Sequence, residues 1–528
     1  MPRRHLHAPA TDGTLLRDAL RQLRVRLAVP EDFPPAVLAE ARQAAENPRM
    51  PELDATDIPL FTIDPPASTD LDQAMHLAAR ADGYRVHYAI ADVAAFVTPG
   101  GALDAEAHRR VTTLYFPDER VPLHPQVLSE NAASLLPGQD RPALLWRIDL
   151  DSTGSVTAAD VRRARVRSRA KLDYATVQRS LDAGTAEEPV ALLQRIGLLR
   201  EGLERERGGI SLNVPEQEIE QRPDGDGYVL EYRAPLAAEG WNAQISLLTG
   251  MAAADLMIRS GAGILRTLPA APAAASDRLR RVAAALRIDW PAGVPYPELI
   301  RSLDPHRPDH AAFLQECTSL LRGAGYTVFD GAAPEHAEHA AVAAPYAHCT
   351  APLRRLVDRY AGELCLSAVA GEQPPDWVRT ALPDLPREMS AGTAHANQAE
   401  RACVNLIEAA LLKGRVGEVF DAFVIDLDDH DPTSGTIHLD DPAVVARVES
   451  PPAAPAPPLG QPCPRSPHPS RHGHDDGPLR PGRPPLSRRL GWAARRTSRP
   501  GGRGGILEIL PRNVRAPQGK VVGNAHPG

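Results

Sequence analysis

A chain of 528 residues is long enough for two to four domains with cores of ordinary size, which excludes a peptide or a lone binding module. Its 43% hydrophobic and 24% charged residues, with a formal net charge of −8, exclude wholesale disorder. Five cysteines in no CxxC or CxxH spacing, none before Cys317, exclude a disulfide framework and a zinc finger; with no run of 18 apolar residues, the expectation is a reduced, cytoplasmic protein with no membrane partner.

In chain order, residues 14–27 (TLLRDALRQLRVRL) and 36–46 (AVLAEARQAAE) carry apolar positions at helical spacing, so residues 1–54 read as a helical N-terminal segment and linker. LFTID, YRVHYAIADVAAFV, ALLWRIDLD and SVTAADVRRARVRSRAKL read as strands, making the region to about residue 235 a mixed β-rich layer. From Trp241 onward, long helical patterns dominate, among them NAQISLLTGMAAADLMI, SDRLRRVAAALRI, HAAFLQECTSLLRGA, LRRLVDRYAGELCLSAVAG and SAGTAHANQAERACVNLIEAALLKGRVG. The fold class is therefore α+β, a β-rich layer packed with helices, over residues 55–414. VGEVFDAFVIDL, SGTIHLDD and AVVARVE then read as three strands of an incomplete OB-like barrel over 415–450. Residues 451–528 hold twelve Arg and one Lys against three acidic residues, a net of +10 that leaves residues 1–450 at −18. This Pro/Arg/Gly-rich tail reads as disordered, either a basic RNA-binding arm or the product of a shifted reading frame in GC-rich DNA.

The sharpest local feature is FTIDPPASTDLDQAMHL, where Asp64, Asp70 and Asp72 fall within nine residues of one another after a short apolar strand. Asp70 and Asp72 share a face of an extended segment, and Pro65–Pro66 can turn Asp64 back towards them. Carboxylates this close repel unless a hard cation neutralises them, and magnesium or manganese held so would suit phosphodiester hydrolysis. The alternative is an acidic turn whose aspartates cap and bond their own backbone.

The string TIDPPASTDLDQA, followed in order by HYAIADVAAFV, TTLYFPDERVPLHPQVLSENAASLLPGQDRPAL, SRAKLDY, RGGISL and YAHCTAPLRRLVDRYAGE, resembles the RNB catalytic domain of the ribonuclease II and ribonuclease R family over about residues 55–415. That resemblance implies a 3′-to-5′ hydrolytic exoribonuclease that degrades single-stranded RNA to nucleoside 5′-monophosphates with Mg²⁺, Mn²⁺ being a possible substitute. Carried over by position, it implies metal ligation by Asp64, Asp70, Asp72 and Gln73, the last standing where the family has a fourth aspartate. An amide can coordinate a metal but brings no charge.

The same resemblance puts the catalytic arginine at Arg354 and an active-site glutamate at Glu400, with Asp72, Arg354 and Glu400 as the catalytic set. Tyr115 and Tyr174 match tyrosines along the RNA path; with 23 aromatic residues in the chain, each is informative. In YAHCTAPLRRLVDRY, Thr350 can cap a helix with Pro352 in its first turn, an arrangement suited to phosphate. By itself Arg354 could equally form an i,i+4 pair with Asp358, and Arg355 either a phosphate contact or a pair with Asp358. In VRRARVRSRAK, the odd-numbered Arg163, Arg165, Arg167, Arg169 and Lys171 would share one strand face, either an RNA-backbone track including Arg167, Arg169 and Lys171 or a solvated edge. Leu212, Ala243 and Gln244 stand where the family has an aromatic and an acidic pair.

Two readings of function follow. One is the exoribonuclease; the other is a catalytically weakened RNA-binding or regulatory protein, motivated by Gln73 and the incomplete barrel. Single-stranded RNA is the expected partner and a monomer the expected state. DNA is not expected, since the N-terminal helices carry no turn signature of a helix-turn-helix.

Overall fold

The computed structural model describes residues 14–212, 214–221, 228–413, 415, 418–427, 434–439, 444–449, 491–493 and 508–510. Two helices lead, α1 (Thr14–Arg26) and α2 (Pro35–Glu46), the second opening on a proline, whose missing N–H costs nothing in a first turn. Both follow the apolar spacing: Leu20 and Leu23 of α1, and Val37 and Ala41 of α2, are buried.

The β-rich region is a closed barrel rather than a layer. Its strands are β1 (Leu60–Ile63), β2 (Gln73–Arg80), β3 (Gly83–Ala91), β6 (Asp140–Asp151) and β7 (Val156–Leu172). Neighbours run antiparallel except for the closing pair, where β1 lies parallel to β7 with Ile63 opposite Leu172. Between β3 and β6 the chain inserts helix α3 (Ala102–Arg110) and a hairpin of β4 (Leu114–Tyr115) and β5 (Arg120–Val121). Strand alternation sends Met75, Leu77, Tyr84, Val86, Tyr88, Trp146 and Ile148 into one core, while Leu60, Ala74, Ala89, Ala143 and Ala164 face another shared with α2 and α3. Glycine is required at Gly83, where a Cβ would lie 2.0 Å from the Leu150 carbonyl oxygen.

Three features of this region depart from the sequence reading. QAMHLAAR forms β2, unread because its small alanines blur the alternation. Val93–Ala95, expected to continue a strand, is a 3₁₀ turn. Helices α4 (Tyr174–Asp182) and α5 (Glu188–Glu206) occupy a stretch read as β-rich, because Leu193, Ile196 and Arg200 recur at helical spacing and bury one face of α5.

A hairpin of β8 (Glu216–Gln221) and β9 (Tyr228–Arg233) precedes α6 (Ala237–Ser260), which packs on α5 with Trp241, Ile245 and Leu248 in the barrel's core. Strand β10 (Ala262–Thr267) leads into a small satellite of α7 (Ala273–Ala285), α8 (Tyr296–Ser302) and α9 (Pro308–Cys317), gathered around Leu279, Leu299 and Phe313. The chain returns through β11 (Gly325–Asp330), paired with β10, and the short pair β12 (Glu338–His339) and β13 (Ala344–Pro345). Helices α10 (Leu356–Ala370), α11 (Asp376–Ala381) and α12 (Leu385–Lys413) follow.

The three expected C-terminal strands are present as β14 (Val419–Leu427), β15 (Ser434–Leu439) and β16 (Val445–Glu449). The tail read as disordered contributes two more, β17 (Gly491–Ala493) on the edge of β14 and β18 (Glu508–Leu510) on that of β16, giving the order β17-β14-β15-β16-β18. Open strand edges accept any extended segment that can reach them. The rest of that tail lies outside the described residues. One further core joins distant parts of the chain: Leu20 and Leu23 of α1, Leu114 and Phe116 beside the hairpin, Ala399 and Cys403 of α12, and Phe420 and Ile437 of the C-terminal sheet. Among the described residues, no helix is long and apolar enough to cross a membrane.

Trp146 is fully buried at the centre of the barrel's larger core. Trp146→Ala should cost about 3–5 kcal/mol of unfolding free energy, read as a lowered denaturant midpoint.

Candidate active site

The acidic loop joins β1 to β2 and closes one end of the barrel. Its ends are fixed by the sheet: the Asp64 N–H donates to the Leu172 carbonyl (3.1 Å) and the Ala91 N–H to the Asp72 carbonyl (2.9 Å). Its middle is tied down by two side chains the motif does not contain. Lys171 donates through Nζ to the carbonyls of Pro66 and Ser68, each at 2.6 Å. Ser134 is fully buried; its Oγ donates to the Thr69 carbonyl (2.7 Å) and accepts from the Leu71 N–H (2.9 Å). Held at both ends and twice in the middle, the loop fixes where Asp64, Asp70 and Asp72 stand.

Arginines meet two of the three carboxylates. Asp72 is buried; its Oδ1 accepts from the Leu353 N–H (2.8 Å) and its Oδ2 lies 3.2 Å from Nε of Arg354. Arg120 lies directly across the hairpin from Tyr115; its Nη1 donates to Asp70 Oδ1 (2.5 Å) and its Nη2 to Thr69 Oγ1 (2.5 Å), with Glu130 3.1 Å away. Nothing in the sequence motif pointed to Arg120, which the β4–β5 hairpin brings to Asp70. Arg24 of α1 braces the tip of that hairpin through Asp118 (2.8 Å) and Glu119 (2.9 Å).

The segment carrying Arg354 differs from expectation. Helix α10 begins at Leu356, and Thr350 does not cap it: the Thr350 hydroxyl pairs with Ser246 Oγ (2.8 Å). The cause is Asp358, fully buried in the first turn, which accepts from the Ala351 N–H (2.7 Å) and holds Arg355 through two bonds of 2.8 and 2.7 Å. Residues 351–355 fold as a turn around that carboxylate. Arg355 is thereby the partner of Asp358, and Arg354, with 43% of its side chain exposed, is turned to Asp72 instead. The Arg354 carbonyl accepts from the Thr113 N–H (3.0 Å) and from Thr112 Oγ1 (2.9 Å), so the chain entering β4 also backs the arginine.

Gln73, read as a metal ligand, has both ends of its amide engaged. Nε2 donates to the Thr350 carbonyl (2.6 Å) and Oε1 accepts from the hydroxyl of the fully buried Tyr88. A chain of hydrogen bonds thus runs Tyr88–Gln73–Thr350–Ser246, from the barrel to α6. Tyr174 is close enough to Asp64 and Arg354 for their charges to act on it, and its hydroxyl accepts from Asn242 (2.9 Å). Tyr115 is close enough to Arg354 to act on its charge.

Glu400 stands on α12 beside Cys403, and the buried Ala399 and Cys403 share a core with Leu114 and Phe116, which flank Tyr115; the structure thus sets Glu400 behind the hairpin. The odd-numbered basic residues of β7 do share a face, between buried Ala164, Val166 and Ser168. That face is largely paired: Arg163 with Asp92 and Glu363, Arg165 with Asp54, and Arg167 with Asp140 (2.6 Å). Arg169 reaches the Asp57 carbonyl (3.2 Å), and Lys171 is spent on the acidic loop.

Burial pushes the carboxyls of Asp64 and Asp72 up to about 7; Arg354 offsets part of this, and Asp70 adds to it. Among the described residues, no three carboxylate, imidazole or thiolate groups converge tightly enough to enclose a metal ion. The donor set nonetheless fits a hard dication in kind: three carboxylates on one loop, two of them desolvated and short of positive charge.

The RNB domain family matches residues 53–369, and the RNase II-type exonuclease C-terminal S1 domain matches residues 418–463. The chain is 28% identical over 434 residues to ribonuclease R of Escherichia coli (strain K12), covering 77% of this chain and 52% of that protein. It is 27% identical over 423 residues to the exosome complex exonuclease dis3 of Schizosaccharomyces pombe, covering 74% and 43%. The chain thus spans about half the length of the curated relatives it matches. Mycoplasma genitalium RNase R, solved in complex with ribose-methylated single-stranded RNA, superposes with a TM-score of 0.71 at 18% identity, covering 83% of this chain and 70% of that one. Yeast Ssd1, described as a pseudonuclease, superposes at 0.59 with 16% identity, covering 77% and 51%. With the RNB match spanning more than half of its residues and the barrel, acidic loop and Arg354 segment in place, the chain belongs to the RNB domain family.

Proposed function

We propose that the chain is a hydrolytic 3′-to-5′ exoribonuclease that degrades single-stranded RNA to nucleoside 5′-monophosphates. The observation that carries this reading is the pairing of Asp72 with Arg354 at the mouth of the barrel, in a protein of this family. Asp64, Asp70 and Asp72 would hold magnesium, or manganese in its place. Such an ion, when bound, activates water and offsets the charge on a phosphodiester.

The chain's own residues do the rest. Arg354 presents a planar, partly exposed guanidinium to the scissile phosphate, and the Leu353 N–H and Arg354 offset part of the burial that raises the Asp72 carboxyl. Tyr115 and Tyr174 offer stacking surfaces worth about 1–3 kcal/mol per base, without sequence preference. Glu400, on α12 beside the core beneath the hairpin, completes the catalytic set with Asp72 and Arg354 in this reading. Gln73 serves to position the Thr350 segment, so metal binding falls to the three aspartates alone.

That assignment of Gln73 also favours a second reading, an RNA-binding protein of weakened activity, because one position of the acidic set carries no charge. Both are tested by incubating the full chain and an Asp72→Asn variant with 5′-labelled poly(A) in Mg²⁺, in Mn²⁺ and in EDTA. Stepwise shortening from the 3′ end with 5′-monophosphate release, abolished by EDTA and reduced roughly 10²-fold or more in the variant, is the expected result. Retained poly(A) binding without shortening would establish the second reading.

Tyr88→Phe removes the donor to the Gln73 amide oxygen and strands a half-buried acceptor. It should cost about 1–3 kcal/mol in unfolding free energy and lower kcat more than it raises KM, because the Thr350 segment that carries Arg354 loosens.

A further inference from the structure

The end of the barrel away from the acidic loop holds two arginines with no acidic partner. The turn between β6 and β7 is built on Asp151, whose Oδ1 accepts from the N–H groups of Thr153 (2.8 Å) and Ser155 (3.0 Å). Gly154 follows at φ +86°, and a Cβ there would lie 2.9 Å from that of Leu199, so the turn seats directly on α5. Its carbonyl accepts from Arg200 Nη1 (2.9 Å), the single hydrogen bond of this side chain among the described residues. Arg200 is 5% exposed, and its Nε is buried without a partner. Two turns further on, at the C-terminal cap of α5, Arg207 donates through Nε to the Val342 carbonyl (2.8 Å), and its Nη2 is likewise buried and unpartnered.

Among the described residues, neither guanidinium is ion-paired, although a buried arginine is ordinarily found with a carboxylate. The carboxylate that acts on both is Glu204, but its Oε2 already accepts from Gln244 Nε2 (2.5 Å) and Ser211 Oγ (3.0 Å). Burial lowers the pKa of both arginines, that of Arg200 to about 10 with the charge of Arg207 as the second cause. Beside them lies a shallow, open cavity lined by Ser155, Val156, Arg200, Leu203, Glu206 and Arg207. Glu206 is exposed at its rim and bonds to neither arginine. The full 17-residue length of β7 separates this cavity from the acidic loop.

We propose that this cavity binds a phosphate group, as the free ion or on a mononucleotide, with Arg200 and Arg207 as its charge partners. A guanidinium fork matches the oxygens of phosphate in pairs, and two adjacent cations match its two negative charges. Val156 and Leu203 line the same depression and offer a nucleoside an apolar surface beside the two guanidinium groups. The inference is independent of the reading of the active site.

The test is the unfolding midpoint of the full chain in rising sodium phosphate, AMP or adenosine, against sodium chloride of equal ionic strength. Phosphate and AMP should raise it saturably, adenosine and chloride should not, and saturation by AMP at lower concentration would identify the nucleotide as the better ligand. Arg354→Ala, which alters only the catalytic phosphate site, should keep the response. Arg207→Ala should raise the half-saturating concentration roughly tenfold or more, the loss of one charge-assisted hydrogen bond, while shortening poly(A) as the wild type does. Because Arg200 also supports the turn at Gly154, Glu206→Gln provides the second variant; it should tighten phosphate binding by removing the acidic rim. No saturable response, a response unchanged in Arg207→Ala, or one lost in Arg354→Ala would overturn the proposal.

Discussion

Three carboxylates confined to one nine-residue stretch repel one another, and two of them are also withdrawn from water. Much of the surrounding structure answers that cost. Arg354 and the Leu353 N–H stand against Asp72, Arg120 stands against Asp70, and Lys171 carries a further charge to within reach of Asp64 while gripping the loop's backbone. Each cation comes from a different part of the chain: the segment before α10, the hairpin of β5, and the end of β7. Concentrated negative charge thus ties the barrel, the hairpin and the helical region to one point.

Holding such a cluster still takes neutral hydrogen bonds as well as charge. Ser134 spans Thr69 and Leu71, and Gln73 spans Tyr88 and Thr350. Where a carboxylate at position 73 would add a fourth negative charge, the amide supplies both a donor and an acceptor, and so links the barrel to the turn that presents Arg354. Asp358 completes that turn by drawing in Arg355 and the Ala351 N–H, which leaves the neighbouring Arg354 turned to Asp72.

The acidic loop was legible because its residues are close in sequence and follow a short apolar strand, and the long amphipathic helices α6, α7, α10 and α12 were legible from spacing. Barrel closure was not, since the pairing of β1 with β7 joins residues a hundred positions apart and leaves no local mark. For the same reason the roles of Arg120, Ser134 and Lys171 were hidden: each acts on the loop from a distant element. The basic face of β7 was read correctly as a face, but strand alternation says nothing of what lies opposite, and Asp54, Asp92 and Asp140 take up much of its charge. Helix α5 was missed although its spacing was there to read; Arg200 on it and Arg207 at its C-terminal cap form no ion pair among the described residues.

The core beneath the hairpin has a consequence for the order in which the protein assembles. Leu20 and Leu23 of α1 leave the ribosome several hundred residues ahead of Ala399, Cys403, Phe420 and Ile437, with which they are buried. The barrel, the acidic loop and Arg354 can all be in place while α1 is still waiting for α12. Until then the strand pair bearing Tyr115 and Arg120 has no floor, and two leucines remain open to solvent or to a chaperone. The floor beneath Tyr115 and Arg120 is thus complete only once α12 has been made, and a nascent chain stalled before α12 carries its acidic loop without it.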